Sequence, residues 1–268
     1  MEHCLETSQQ PNNVHNFLHA HRSIRSYQDR AIGDEVLERI LHAATRASSS
    51  GNMQAYSVIV TKDRELRERL YKPHFEQSMV LDAPVLLTFC ADFRRMRRWL
   101  ALRDAPDNFD NPMSFMIAAI DAILASQNAA LAAEAEGLGL CYMGTTLASC
   151  LEIAEILQCP SGVVPVVGFS LGHPAETPAS RDRLPLSLLV HQEQYQDPSD
   201  TDLLAGYAAR ERRGWERYMD DPGLKKKVQA AGVTNLAQLY TVLKYTRKSH
   251  QAYSRTLVEC LKKQGFLP

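Results

Sequence analysis

An α+β fold is predicted for this chain of 268 residues on three observations. Its composition, 45% hydrophobic and 23% charged, is that of an ordinary globular protein with a sizeable core. Segments with helical periodicity occur along the chain, and short β-rich runs lie between them. The two kinds of segment do not follow the regular β-α-β order that marks a parallel sheet. We therefore expect strands and helices to share one core without that repeat.

Three segments are predicted to be helices. Residues 34–47 place apolar side chains at helical spacing after Gly33. Residues 113–136 form a long alanine-rich stretch with aliphatic residues at the same spacing and glycine at its end, so we expect the central helix here. Residues 147–157 show a similar pattern and end near Pro160.

Buried strands are predicted at residues 56–61, 84–90 and 163–172, each a β-rich run bounded by polar or proline-containing sequence. A further short strand is expected within "GLGLCYMGT", which returns from the central helix and ends in Gly144. A glycine there allows the backbone to approach a flat ring closely. The chain has no G-x-G-x-x-G or G-K-[ST] motif, so neither a Rossmann site nor a P-loop is indicated.

The domain organisation follows from changes in sequence character. Residues 1–16 are polar and are expected to be a flexible N-terminal arm, and residues 17–197 contain all the predicted strands. After about residue 198 the sequence is helical but too polar for a second core of any size. We expect residues 198–268 to be a helical extension that packs on the main domain or on a partner subunit.

Charge and motif content exclude several classes of function. Thirty basic residues against 31 acidic ones give a net charge of -1, so no general field attracts nucleic acid or an anionic membrane. The start has no signal-peptide pattern, and no run reaches the length of a membrane span, so a cytoplasmic location is expected. Six cysteines without C-x-x-C, and nine histidines of which only His15 and His19 have H-x-x-x-H spacing, indicate reduced packing cysteines and no metal site.

Two arginine-containing segments are candidates for binding a phosphate. The first, "HRSIRSY", carries Arg22 and Arg25, and the second, "SRDRLP", carries Arg181 and Arg183. Guanidinium groups present paired donors that match phosphate oxygens, and residues two apart on an extended segment face the same side. Taken singly, each pair also fits an ordinary solvated surface.

The third candidate is "ASSSGNMQAYS", which lies between the first predicted helix and the first predicted strand. Its hydroxyl and amide side chains can read the polar edge of a heterocycle while leaving a flat face free. The residues concerned are Ser49, Ser50, Asn52 and Gln54. A plain loop after a helix accounts for the same residues.

In this order and spacing, the segments resemble the nitroreductase family of flavin mononucleotide (FMN) enzymes. The resemblance covers about residues 17–197, through "HRSIRSY", "SSSGNMQ", "FCADF", "SQNAALAAEAEGLGLCYMG", "VVPVVGFSLGHPAETP" and "RLPLSLLVHQEQYQ". The similarity is strongest to the branch of NADPH-dependent flavin reductases and major oxygen-insensitive nitroreductases. It implies a central mixed or antiparallel sheet flanked by helices, and an intertwined homodimer with two flavin sites at the subunit interface.

The resemblance also implies which residues bind FMN. The ribityl phosphate and the pyrimidine edge would be held by His21, Arg22, Ser23, Arg25, Arg181 and Arg183. The other subunit would contribute Ser49, Ser50, Asn52 and Gln54. The isoalloxazine ring would be bordered by Gln77, Tyr142, Met143 and Gly144.

The implied activity is ping-pong hydride transfer from NADPH or NADH, through FMN, to nitroaromatics, quinones or free flavin. The cofactor carries this chemistry, so no catalytic acid, base or nucleophile is required of the protein. Two alternatives stay open. One is another reaction on the same fold, either reductive dehalogenation or oxidation of a peptide-derived ring, and the other is a non-catalytic module that stores or senses FMN.

Two features depart from that branch. The stretch "WERYMDDPGLKKK" places Asp220 and Asp221 where the resemblance would put arginines for the extra phosphate of NADPH, which leaves the nicotinamide preference open. Asn52 and Thr145 stand where other residues are frequent, which leaves the electron acceptor open.

Overall fold

The structure, a computed structural model, describes residues 10–268. The predicted arm over residues 1–16 lies partly outside the described residues, and Cys4 lies wholly outside them. The described part of the arm belongs to a helix, α1 (Gln10–His19). The described chain divides into two compact units. The first contains the residues up to 179 together with 253–268, and the second contains residues 180–252.

A four-stranded antiparallel sheet with the strand order β1-β2-β4-β3 forms the centre of the first unit. Its strands are β1 (Tyr56–Thr61), β2 (Val85–Asp92), β3 (Gly139–Tyr142) and β4 (Val163–Gly172). The two inner strands, β2 and β4, are almost entirely buried, which is why they are nearly continuous apolar runs in the sequence. The predicted strands are confirmed to within two residues at each end.

Helices flank this sheet, as the α+β prediction requires. After α1 they are α2 (Asp34–Ala44), α3 (Arg64–Tyr71), α4 (Met79–Asp82), α5 (Arg94–Ala101), α6 (Pro112–Ala135), α7 (Thr145–Ala148) and α8 (Cys150–Ile156). The single helix predicted over residues 147–157 is therefore wrong, because Ser149 interrupts it with φ -118° and ψ 26°. The Ser149 hydroxyl instead donates a hydrogen bond to the carbonyl of Pro73 at 2.8 Å.

The long helix α6 is the central helix and packs against α2, β2 and β4. Small residues form its buried side, namely Ala118, Ala122, Ala125, Ala129 and Ala133. Its large apolar residues face outward, namely Met113, Met116, Ile120, Ile123 and Leu124. By length and composition α6 would also pass as a membrane span, but half of its most apolar stretch is buried in the unit, as in the core helix of a soluble protein.

The C-terminal residues complete the core of the first unit. Cys260, Leu261 and Phe266 are buried in the same cluster as the sheet, and the ring of Phe266 lies 5.8 Å from that of Phe115. These residues follow from the last helix, α12 (Arg247–Lys263). The predicted extension over 198–268 is divided between the two compact units, since the chain beyond residue 252 belongs to the first; its boundary at residue 198 stays a prediction.

The second unit is helical and has a small core. It contains α9 (Asp200–Met219), α10 (Pro222–Ala230), α11 (Leu236–Gln238), the π-helical turn Leu239–Lys244 and the start of α12. Val228, Val233 and Leu239 are buried together, with Trp215 packed against them. The small size of this cluster agrees with the polar composition of the segment.

Candidate active site

The segment "HRSIRSY" lies along the edge strand of the sheet. Ser23 forms a parallel bridge with Leu140 of β3, and the Ile24 amide donates to the Leu140 carbonyl at 2.9 Å. Gly139 is needed for this pairing, because a Cβ on it would lie 2.6 Å from the Ile24 side chain. The two segments run in the same direction, so Arg25 and the end of β3 lie on the same side of the unit.

Two glutamates fix this segment. Nδ1 of His21 lies 2.6 Å from a carboxylate oxygen of Glu134 on α6. Glu176 accepts hydrogen bonds from the backbone amides of Arg25 at 2.5 Å and Ser26 at 3.0 Å. No described side chain pairs with the guanidinium groups of Arg22 or Arg25, within the limits of residues 10–268. Both groups therefore remain available to an anion.

The end of β3 is continuous with that segment. Burial raises the pKa of the Cys141 thiol, and the positive charge of Arg25 together with a hydrogen bond from Ser23 acts in the opposite direction, which shows how close these groups are. Burial likewise raises the pKa of Tyr142, whose hydroxyl lies 3.1 Å from that of Ser126. Gly144 is exposed, and a Cβ on it would meet no atom within 4 Å. The backbone at Gly144 is therefore open to a flat ligand.

Gln77 reaches the same place from another part of the chain. Its amide nitrogen donates to the hydroxyl of Thr145, the residue after Gly144, at 3.3 Å and to the carbonyl of His74 at 2.8 Å. The imidazole Nδ1 of His74 lies 2.8 Å from the same hydroxyl. Burial lowers the pKa of His74 to about 4, so this imidazole is neutral at physiological pH.

The loop Ser49–Gln54 is held by a buried carboxylate. Asp121 on α6 is only 1% exposed, and its two oxygens accept from the amides of Ser50 at 2.9 Å and Ala55 at 3.2 Å. Asn52 and Gln54 have φ values of 56° and 51°, a left-handed backbone conformation that residues other than glycine seldom adopt. Such strain is typical of functional loops that the surrounding structure fixes.

Arg95 on α5 holds the same loop from outside. Its guanidinium donates to the carbonyls of Gln54 at 2.7 Å and Tyr56 at 3.0 Å. The buried carboxylate of Asp92 lies 3.6 Å from it and also bonds the hydroxyl of Ser57. Beside the loop lies a cavity of about 440 Å³, which is lined by Asn52, Gln54, Arg95 and Trp99 among others.

Arg181 and Arg183 stand at the start of the second unit. The guanidinium of Arg183 donates to the carbonyls of Arg181 at 3.2 Å and Asp182 at 3.4 Å, so this side chain folds back over its own backbone. The carboxylate of Asp182 is paired with Arg213 on α9. The convergence of these arginines with Arg25 on one phosphate stays a prediction.

The predicted site residues thus fall into three groups. One patch of the first unit joins the segment at His21, Arg22, Ser23 and Arg25 with Gln77, Tyr142, Met143 and Gly144. The loop with Ser49, Ser50, Asn52 and Gln54 shares no hydrogen bond with that patch among the described residues. Arg181 and Arg183 form the third group, in the second unit.

Sequence reasoning missed several residues that position these groups. Asp121 carried a usable signal, because it is the one charged residue within "PMSFMIAAIDAILASQNAALAA", and a carboxylate inside an apolar helix needs donors. The sequence carried no such signal for the other four residues, because their partners lie far away along the chain; they are His74, Arg95, Glu134 and Glu176.

The residues of the patch fit an FMN. The free guanidinium groups of Arg22 and Arg25 suit a terminal phosphate, and the open space at Gly144 suits a flat ring. Hydrogen-bonding groups at Ser23, Gln77 and the β3 end suit the polar edge of a heterocycle. The groups of this patch form no recognisable site for the adenosine part of a dinucleotide such as FAD.

Comparison with known proteins agrees with this arrangement. The nitroreductase family profile matches residues 18–173. FMN reductase [NAD(P)H] of Bacillus subtilis is 34% identical over 259 residues, which cover 95% of this chain and 98% of that protein. Oxygen-insensitive NADPH nitroreductase of Salmonella typhimurium is 39% identical over 191 residues, which cover 71% of this chain and 77% of that protein.

Solved structures show the same similarity over nearly the whole chain. An oxidoreductase from Bacteroides fragilis superposes with a TM-score of 0.86 at 38% identity and covers 94% of this chain and 100% of its own. The NADPH:FMN oxidoreductase of Vibrio harveyi, solved in complex with NAD+, gives a TM-score of 0.70 at 29% identity and covers 89% of this chain and 98% of its own. The chain therefore belongs to the nitroreductase family.

Proposed function

We propose that this chain is an FMN-dependent NAD(P)H oxidoreductase that works by ping-pong turnover, with nitroaromatics, quinones or free flavin as acceptors. The names of its relatives support the reaction class, since they include FMN reductases and an NADPH nitroreductase that align over most of the chain. The resemblance in sequence and the arrangement of the patch point to the same cofactor.

The observation that carries the proposal is the connection of Arg25, Gly144 and Gln77 within one patch. A parallel bridge and two hydrogen bonds join segments that lie far apart in the sequence, so their proximity is a product of the fold. A phosphate-binding cation, an open backbone and a polar side chain at adjoining positions suit the two ends of a flavin nucleotide. If these arginines were only solvated surface charges, there would be no reason for them to lie beside an open backbone and a polar side chain.

When bound, FMN supplies the chemistry by accepting a hydride and passing the electrons to an acceptor. The chain supplies binding and orientation. Arg22 and Arg25, with Arg183, would hold the phosphate through charge-assisted hydrogen bonds. Tyr142, Met143 and Gly144 would present backbone to the ring, and the positive charge nearby would favour the negative charge that the ring gains.

We further propose that the active protein is a homodimer. Asp121 and Arg95 hold the backbone of the loop Ser49–Gln54, which shares no hydrogen bond with the patch among the described residues, and this arrangement is compatible with a contribution to the partner's site. The outward apolar side of α6 supports this proposal, because five large residues are exposed on one helix. Burial of that side against a second copy would remove it from water.

The remaining parts of the proposal concern donor and location. NADPH or NADH is the electron donor, and the charges of the second unit give no strong preference between them. The location is cytoplasmic, in keeping with the free thiols of the five described cysteines.

Anaerobic reduction of the bound flavin tests the function. The purified protein should be yellow and release FMN, and excess NADH or NADPH should bleach its visible absorbance within a turnover time. Addition of a quinone or nitroaromatic should restore the colour. A protein that binds FMN but is bleached by neither nicotinamide would instead be a storage or sensing module.

A further inference from the structure

Three side chains of the first unit meet beside the open backbone of Gly144. His74 lies in the turn after α3, Gln77 follows three residues later, and Thr145 begins α7. The Thr145 hydroxyl is 2.8 Å from Nδ1 of His74 and 3.3 Å from the amide nitrogen of Gln77. The amide nitrogen of Gln77 is also 2.8 Å from the His74 carbonyl.

These distances fit one arrangement of protons in which every contact is a hydrogen bond. The amide nitrogen of Gln77 is a donor, so the Thr145 hydroxyl accepts from it and its own proton is free to reach Nδ1 of His74. The arrangement that we infer has His74 neutral and protonated on Nε2, so that Nδ1 accepts from the Thr145 hydroxyl. Both amide protons of Gln77 are used inside the cluster. Its carbonyl oxygen is therefore the atom left for a donor from outside.

Burial keeps the imidazole in the required state. His74 is 1% exposed, and burial lowers its pKa to about 4. At physiological pH the ring therefore carries no charge, so Nδ1 is able to act as an acceptor. A protonated ring would donate to Thr145 and release the hydroxyl proton from this contact.

The turn that presents Gln77 is strained. Phe75 and Glu76 have φ values of 59° and 55°, so two successive residues other than glycine adopt a left-handed backbone. Their amides donate to the carbonyls of Lys72 at 2.8 Å and Tyr71 at 2.9 Å, which fixes the turn. Strain of this kind persists where the surrounding structure determines the backbone, and it is concentrated at functional sites.

We propose that His74 is a positioning residue of the flavin site. Its neutral imidazole fixes the Thr145 hydroxyl, and that hydroxyl fixes Gln77 with the carbonyl oxygen outward, as the acceptor for an N–H group of the flavin ring. The inference rests on the proposed function. It assigns a role to a residue that itself need not touch the flavin, and it explains why Thr145 stands beside Gly144 in this chain.

Binding of FMN to the apoprotein tests the proposal without an activity assay. The variants are Thr145→Val, His74→Leu and the double variant, with His74→Asn as the conservative replacement whose amide oxygen can stand in for Nδ1. Quenching of flavin fluorescence gives the dissociation constant, and the visible absorption band reports the environment of the ring. Each single variant should weaken binding by about three- to tenfold, as for one neutral hydrogen bond, and shift the band.

Non-additivity decides whether His74 acts through Thr145. The double variant should bind FMN no more weakly than the worse single variant, and His74→Asn should bind within about twofold of wild type. Single effects that multiply in the double variant would overturn the proposal, as would a His74→Leu protein with a lowered melting temperature and unchanged FMN affinity.

Thr145→Val decides the matter if His74→Leu does not fold, because valine has nearly the shape of threonine. Unchanged affinity and an unchanged flavin band in that variant would overturn the positioning role while leaving the proposed function intact. Wild-type protein that fails to bind FMN would instead end the proposed function, and this inference with it.

Discussion

Polar side chains from distant parts of the chain fix the candidate site residue by residue. Asp121 fixes the loop at Ser50, Glu176 fixes the backbone at Arg25, and His74 fixes Thr145. Glu176 is half-buried, whereas Asp121 and His74 are each 1% exposed and bind a backbone amide or a hydroxyl of the functional segment from the interior. Removal of such a group leaves a buried partner without a hydrogen bond, which costs more than the bond itself contributes.

His74 should make the free energy of unfolding depend on pH. The folded-state pKa of about 4 lies below the ordinary value of 6.5, so between these values the unfolded state binds the proton and the folded state does not. Stability is therefore full above pH 6.5 and falls as the pH decreases toward 4. The loss from this residue should be about 2 kcal/mol between pH 7 and 5. Urea unfolding at several pH values should show this slope in wild type and not in His74→Asn.

Arg25 and Arg183 should determine the affinity for FMN through its phosphate. The double variant Arg25→Ala/Arg183→Ala loses charge-assisted hydrogen bonds of roughly 1.5–3 kcal/mol each, so binding should weaken by more than about a hundredfold. Titration of apoprotein with FMN measures the effect. Arg69→Ala, an exposed arginine of α3, is the control for loss of positive charge. Full flavin occupancy in the double variant would show that the phosphate lies elsewhere.

At the scale of elements, α6 serves the core and the outer surface with different residues. Alanines face the sheet and allow a close approach, while Ile120 and Ile123 are 49% and 51% exposed. A helix that is apolar all round is normally buried on every side. The exposed side of α6 is therefore the most direct structural argument for a second copy of the chain.

Charges placed on that side should dissociate the dimer. Ile120→Glu/Ile123→Glu would bury two unpaired carboxylates in the interface, whose total area we expect to exceed about 2,000 Å². Sedimentation should show a dimer for wild type and a monomer with reduced FMN content for the variant. Arg69→Glu introduces a carboxylate at an exposed position of α3 and should stay dimeric. A wild-type monomer that binds FMN tightly would contradict the dimer.

For the whole molecule, the charges of the second unit bear on the choice of nicotinamide. Asp221 has a structural task, since its carboxylate caps α10 by accepting from the Leu224 amide at 2.9 Å. The run Lys225, Lys226 and Lys227 is exposed on the same helix. Capping accounts for one of the two aspartates, so an acidic residue here does not by itself indicate rejection of NADPH.

The preference for NADPH over NADH should be less than about tenfold in kcat/KM, a difference below about 1.4 kcal/mol. The physical reason is that solvated lysines contribute little unless the 2′-phosphate lies directly against them. Steady-state kinetics with both donors measures the ratio. A preference of a hundredfold or more would contradict this prediction, and Lys225→Ala/Lys226→Ala/Lys227→Ala would then raise KM for NADPH alone if these lysines cause it.

The sequence by itself determined the strands, the central helix and the family. The apolar runs of β2 and β4 are continuous because both strands are buried, and the alanine-rich period of α6 is set by its packing on the sheet, so local pattern was sufficient. The resemblance carried by the ordered motifs is confirmed, and with it the fold. The boundary at residue 198 stays a prediction, and composition did not indicate that Cys260 of the polar α12 and Phe266 after it are buried in the first core.

Only the tertiary structure decided what fixes the candidate site. Glu176 meets the amide of Arg25 across 151 positions of sequence, and Asp121 meets Ser50 across 71. No local period encodes such pairs, since they depend on how the sheet and α6 bring distant segments together. The left-handed backbone at Asn52, Gln54, Phe75 and Glu76 is likewise imposed by tertiary contacts, because the intrinsic preference of these residues in isolation is for other conformations.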